Sequence, residues 1–394
     1  MKNINMKILA SITLSSLVFF GCANTEEDKN TLSATANKEV KLEVMDSVRV
    51  DYLGNLVLID VSEEYDKILL YDRATSKIVL SDMEGSILNE LALEGDSPNS
   101  YGRMLGPGRF TPEGNIFIIG MRGFFTYNLD GEVLSSRKLP EDYEIFMTST
   151  NQSTEPIPYQ GKFIIAYFDF NGKEKNQIEY YQELTVLTEI DSSTNIHTPF
   201  LTIPAESKLR DGLGYEFPDI QPYYTIHNGR LLVTFGAEAK LYEFDLGTYE
   251  LQASKDLKYQ NFHPSQGEEL SKKEPGSIMF SSEDGLTRSI VSTGENILLL
   301  YYPGFNQIDR ERIKDQQAKE NQEALSALYQ ELAKKNANRI HILDKDGNFL
   351  ADLDNEHNVN IFSGLAKGEY IWFMKNINMD EEEDFFTFYK TRVN

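Results

Sequence analysis

A short apolar run recurs six times along the chain, at 67–71, 115–119, 162–166, 230–234, 296–300 and 369–373. Five of the six begin at or just after Gly or Asn, residues that favour turns. Unbroken runs of this length suit strands buried on both faces. Each run has a follower, at 77–82, 124–131, 184–191, 241–247, 340–347 and 385–389, in which apolar and polar residues mostly alternate before reaching Asp or Asp-Gly. That pattern is a half-exposed strand entering a hairpin. A further strand follows most turns, as at 86–91 and 348–353. Units of roughly 45 to 70 residues with several strands each predict propeller blades, with each apolar run as the inner strand that opens its blade.

The sixth unit stops at Asn394 without a turn or a last strand, while the segment 40–51 has no partner at its own end. An N-terminal strand that completes the last blade closes the ring and removes both open sheet edges. The expected fold is all-β: a six-bladed β-propeller over 40–394, closed in its last blade by the N-terminal strand. Two separate all-β domains are the alternative. The stretch 307–338 breaks the pattern, being rich in Glu, Lys, Gln and Ala, with Leu325, Leu328 and Leu332 on one helical face. It is expected as a helical insertion in blade five, between that blade's first and second strands. A narrow apolar stripe packs it on the surface; the sharper reading is a partner-docking arm.

Charge narrows the function. The 394 residues carry 62 Asp and Glu against 38 Lys and Arg, a net charge of −24. A protein that clamps a phosphate backbone needs the opposite sign, so nucleic acid is not an expected partner. With 40% hydrophobic residues and 13 Pro, the chain is neither collagen-like nor disordered. One Cys excludes an internal disulfide and a zinc site built from cysteines.

That cysteine sits in an informative place. Lys2 and Lys7 are the only charges among the first 21 residues, and 8–20 is an apolar run broken only by Ser and Thr. The run is shorter than the ~20 residues a spanning helix needs, and its basic, apolar and small-residue order is that of a secretory signal. Val18-Phe19-Phe20-Gly21-Cys22 resembles a bacterial lipobox, with Phe19 in place of the usual Leu. The resemblance implies a signal peptide over 1–21, acylation of the Cys22 thiol, and a lipid-anchored tether over 22–39. An ordinary signal peptide with an incidental Cys is the alternative. Glu26-Glu27-Asp28, just after the lipid site, resembles the export signal of surface lipoproteins in Bacteroidota.

Taken together, the lipobox, the repeat and one loop resemble the six-bladed, TolB-like propeller lipoproteins of Bacteroidota, many of them uncharacterised. The loop is Gly106-Pro107-Gly108-Arg109-Phe110, which matches the second half of a Gly-x-Gly-Pro-Gly-x-Phe motif, with Met104 where the first Gly would stand. Glu94-Gly95-Asp96-Ser97-Pro98 resembles a related acidic-Gly-Pro turn. The resemblance implies a fold and a compartment, the cell envelope, with an outer-membrane lipoprotein facing the periplasm or the surface. It implies no secure activity.

Catalytic signatures are absent from the sequence. There is no Gly-x-Ser-x-Gly elbow, no phosphate loop, no dinucleotide fingerprint and no His-Glu-x-x-His. The five histidines are scattered, and His341 lies within an alternating strand, a structural position. Asp344-Lys345-Asp346-Gly347-Asn348 looks like the start of a calcium loop, but it lacks the closing glutamate, and a hairpin wants Asp-Gly in any case. Calcium is the one cofactor left open. The acidic run 380–384 is expected as a solvated loop between two strands of the last blade.

Propellers place their sites where blade loops converge on the axis. Arg103, Arg109 and Arg288, with Tyr159 and Tyr223, lie just before expected inner strands and are the candidate ligand-binding residues. Arginines can clamp a carboxylate, sulfate or phosphate bidentately, and tyrosines can stack on sugars or peptide rings. Equally, these side chains can bridge blades and pair with the surplus acids. The expected function is a membrane-anchored extracytoplasmic module that binds a small molecule, a glycan or a protein, with the bilayer engaged through Cys22. A hydrolase or lyase acting on glycan or lactone at the channel mouth is the alternative, resting on the surplus of carboxylates.

Overall fold

The computed structural model describes residues 40–141, 154, 156–191, 193–276, 279–377 and 383–394. The expected signal peptide, Cys22, the tether and 380–382 of the acidic run lie outside the described residues.

Six four-stranded antiparallel sheets form the blades of a β-propeller. Blade one pairs Leu56–Ser62, Lys67–Asp72, Lys77–Asp82 and Ile87–Leu91; blade two pairs Arg109–Phe110, Ile116–Gly120, Gly123–Tyr127 and Val133–Arg137. Blade three pairs Ile157–Tyr159, Lys162–Asp169, Thr185–Asp191 and His197–Thr202; blade four pairs Pro222–His227, Arg230–Phe235, Lys240–Asp245 and Leu251–Asp256. Blade five pairs Leu286–Ser292, Asn296–Tyr302, Arg339–Asp344 and Phe349–Asp354. Blade six runs Leu365–Lys367, Tyr370–Met374, Phe385–Val393 and, last, Leu42–Asp51 from the other end of the chain. No helix among the described residues is long and apolar enough to cross a membrane.

The N-terminal strand closes the ring as expected. Leu42 pairs with Val393 and Asp51 with Phe385, the register shifting once between Val44 and Asp46. Val48 and Val50 are buried with Leu56 and Leu58 of blade one and Trp372 and Phe388 of blade six. Each such side chain contributes about 1.5–3 kcal/mol by leaving water, so the closing strand is held by its side chains as well as by its ladder. The same blade-on-blade packing recurs between blades one and two, where Leu69, Ile78 and Leu80 meet Ile116, Ile118 and Tyr127.

The apolar runs are the second strand of each blade and not the first. Every blade opens with a strand the sequence pattern missed, because these innermost strands are short or carry polar residues. Blade two opens with only Arg109–Phe110 and blade three with Ile157–Tyr159. The helical insertion consequently lies between the second and third strands of blade five. It is two helices, Gln307–Ala318 and Gln322–Lys335, where the sequence suggested one. Leu328 and Leu332 are buried against Phe305 and Ile313, with Leu325 at the edge, so the predicted stripe is the packing face.

Asp and Asp-Gly at the ends of the third strands have one physical role. Asp82, Asn128, Asp191, Asp245 and Asp344 each accept two backbone N–H groups from the turn that follows. A positive-φ residue completes each turn: Gly85, Gly131, Asn195, Tyr249 and Gly347. Asp344 is thus an ordinary member of a repeated hairpin cap.

At the axis, Asp60 joins three blades. It is 2% exposed. Its Oδ2 accepts the Phe110 N–H of blade two at 2.7 Å, and its Oδ1 meets the Lys367 ammonium of blade six at 2.5 Å.

Because neighbouring strands are antiparallel, the blade-to-blade connections and the second-to-third loops share one face of the ring. The hairpins between first and second strands lie on the other.

Removing 40–51 should expose the Phe385–Val393 edge and produce aggregates. Val50→Asp should unfold the protein by placing an unpaired carboxylate in the closing core, a cost above about 4 kcal/mol. Light scattering and thermal unfolding measure both, and a monomeric deletion variant with an unchanged melting temperature would contradict the closure.

Candidate functional site

Among the described residues, the connection face is built up most heavily between blades three and five. The connection 203–221 and the connection 257–285 are stapled to each other by a two-stranded ribbon, Leu213–Gly214 with Glu268–Glu269. Beneath the first, the Glu238 carboxylate accepts from Ser207 Oγ, the Lys208 N–H and Tyr242 Oη at 2.7–2.9 Å. Burial pushes its carboxyl up from the ordinary value despite these donors.

A single helical turn, Phe217–Ile220, follows. Glu216 and Asp219 form a reciprocal capping box, Asp219 Oδ2 accepting the Glu216 N–H at 2.9 Å, with Pro218 preset for the first turn. The turn lies against blade four so closely that a Cβ on Gly236 would sit 1.9 Å from the Pro218 carbonyl oxygen. Only glycine allows that approach.

The Glu216 side chain is held between Lys175 at 2.9 Å and Lys273 at 3.1 Å, and Lys273 also pairs with Glu268 at 2.9 Å. Burial opposes ionisation of Glu216, but the two ammonium groups and the Met279 N–H outweigh it and hold the carboxyl below its ordinary value. From the helical insertion, Arg310 reaches across. Its guanidinium pairs with Asp284 at 2.7 Å and donates to the carbonyls of Phe305, His263 and Glu283. The insertion is therefore pinned to the connection, with Tyr329 Oη on Glu283 as a second tie.

Between these elements lies a cavity of about 370 Å³. Glu216, Asp219, Glu268, Lys273, Asp284 and Arg310 supply its polar wall; Pro218, Leu286, Met279 and Phe280 supply its apolar one. Asp219 is the outlier. It is 5% exposed, and burial, with Asp284 nearby, pushes its carboxyl up to about 6.

The five residues expected to share one mouth are spread over the ring. Arg288 and Tyr223 do come together: Arg288 hydrogen-bonds the Tyr223 phenol and lies over the Phe362 ring at 5.7 Å. Arg109, in blade two across the ring, donates to the Pro156 carbonyl at the start of blade three. Arg103 is exposed in the connection from blade one, close enough to Tyr71 to act on its phenol. Tyr159 ends the innermost strand of blade three at its hairpin, on the opposite face. Four of the five lie within innermost strands, where position along the strand sets the face: Arg109, Tyr223 and Arg288 stand towards the connection end and Tyr159 at the hairpin end. His341 is fully buried and its Nδ1 lies 3.0 Å from Asp352, a structural setting as expected. Among the described residues no three His, Cys, Asp or Glu side chains gather as a metal site.

No pattern or spacing along the sequence singles out the cavity residues as a group. The one local signal was Glu216-Phe217-Pro218-Asp219, a capping box with proline. Nothing local shows that 216 meets 175 and 273, or that 284 meets 310.

Asp219 gives a sign to the pH dependence. Its folded pKa lies above its unfolded one, so the folded chain keeps a proton the unfolded chain has lost, and stability falls as pH rises from about 4 to about 6. Asp219→Asn keeps an acceptor for the Glu216 N–H and removes the penalty. Across that window the variant should gain up to about 3 kcal/mol on the wild type. Urea unfolding at pH 4 and pH 7 reads the difference, and equal gaps at both pH values would refute it.

No protein-family model matches the chain, and no curated protein matches it. Solved structures do match in fold. A member of the DUF4221 family from Bacteroides vulgatus superposes with a TM-score of 0.62 at 13% identity, covering 91% of this chain and 99% of that one. An exported-protein candidate from Bacteroides fragilis gives a TM-score of 0.51 at 13% identity, covering 91% and 96%. At such identities the likeness is one of fold: this chain shares a six-bladed propeller with uncharacterised proteins of Bacteroides.

Proposed function

We propose that the protein is a lipid-anchored, extracytoplasmic binding module of the TolB-like kind, presenting its ligand site on the connection face. The observation that carries the reading is the cavity between 203–221 and 257–285. There, two long connections and an inserted helical hairpin converge on one side of the ring, while the first-to-second-strand hairpins on the opposite side are tight among the described residues. Elaborated loops on a rigid scaffold are where binding function concentrates. The apolar run 8–20 followed by Gly21-Cys22 supports the anchor, and the exported-protein candidate among the fold neighbours supports the compartment.

A hydrolase or lyase at the same cavity is the second reading. One observation favours it: Asp219 is raised to about 6 while Glu216 is held ionised, the opposed environments that an acid–base pair uses. Both carboxylates are already engaged in the capping box and Glu216 in two ion pairs, which favours binding over turnover.

Cys22→Ser should leave the folded propeller intact and move it from the membrane fraction to the soluble one. Fractionation followed by immunoblotting measures this; a variant that still sediments with the outer membrane would overturn the anchor.

A further inference from the structure

We propose that the cavity on the connection face binds a primary ammonium carried on an aliphatic stem, with Asp219 as its counter-ion. A lysine side chain and a free alkyl diamine share this chemistry. The inference rests on the reading of the connection face as the binding face, and it names the ligand class.

Most charges in the cavity are already matched. Lys273 is engaged by Glu216 and Glu268, and Arg310 by Asp284. Asp219 is different. Its carboxylate accepts one backbone N–H and, among the described residues, pairs with no cation. Lys208 and Lys273 act on it from a distance, but the Lys208 ammonium is spent on the Ser265 carbonyl at 2.7 Å and Lys273 on Glu216 and Glu268. A carboxylate that is 5% exposed and lines a cavity is a group whose burial cost a bound cation would offset.

The sign of the site excludes the opposite ligand. Four carboxylates line the cavity against two cations, in a chain of net charge −24. An anionic ligand would meet that field with no unmatched cation to receive it. A divalent metal is also disfavoured, since it needs several oxygens at once and the other three carboxylates are committed to Lys273 and Arg310.

The apolar wall supplies the rest. Met279 is 65% exposed and Phe280 73% exposed, an unusual state for two neighbouring large apolar side chains. With Pro218 and Leu286 they give an aliphatic stem a surface to lie on, and Phe280 places an aromatic ring, a group that attracts cations, in the same lining. A bare inorganic cation would make no use of the aliphatic surface, whereas an alkylammonium uses both walls.

Isothermal titration of the full-length chain at pH 7.5 tests the proposal with three probes: Nα-acetyl-lysine N-methylamide, cadaverine, and Nα-acetyl-glutamate N-methylamide. Binding is expected for an ammonium probe and not for the glutamate. A response to the lysine amide points to a polypeptide source; a response to cadaverine alone points to a free amine. Asp219→Asn should weaken the ammonium probe by about tenfold or more, and Phe280→Ala by about threefold. Both variants should keep a cooperative thermal transition. Absence of binding by both ammonium probes, or an unchanged affinity in Asp219→Asn, would overturn the proposal. Binding of the glutamate probe in their place would overturn it too, while leaving the binding-face reading standing.

Discussion

The architecture depends on one pairing, Leu42–Asp51 against Phe385–Val393. A propeller blade has an apolar face on each side and an exposed ladder at its rim. Blade six would be a three-stranded sheet with a bare outer edge if the chain began at blade one. By lending its first strand to its last blade, the chain shields that edge and fixes blade six against blade one through Val48, Val50, Trp372 and Phe388. Asp60 repeats the same linkage at the axis, where blades six, one and two meet on a single carboxylate. A closed ring in turn gives rigid places from which long connections can project, and the cavity is made of two such connections and an inserted hairpin.

Much of this was legible because propellers are periodic. The second strands are unbroken apolar runs, and the third strands end in Asp or Asn for a reason that recurs five times, the capping of a tight hairpin. The gap at Asn394 and the spare segment at 40–51 were visible as a matching pair. What stayed hidden was the innermost strand of each blade. Arg109–Phe110 and Ile157–Tyr159 are too short to show a period, so their residues read as loop. That single misplacement put the insertion one strand too early and sent Tyr159 to the wrong face.

The candidate site was illegible for a different reason. Its chemistry depends on contacts between distant segments: Lys175 with Glu216, Arg310 with Asp284, and Gly236 with Pro218. In a chain with 62 acidic residues, no single Asp or Glu stands out by composition. Asp219 becomes distinctive only when the structure shows which carboxylates already have a cation beside them.

The closing strand also sets the order of events when the chain folds. Leu42 must wait for Val393, so the ring cannot be completed until the whole chain is available, and contacts of such long sequence separation form slowly. Until then the Phe385–Val393 edge is an open template. A second chain's first strand fits that edge in the same register, with the same valines entering the same core. High concentration during refolding therefore favours reciprocal exchange of first strands between two chains. The feature that makes the finished ring self-contained makes the unfinished one a partner for its own kind.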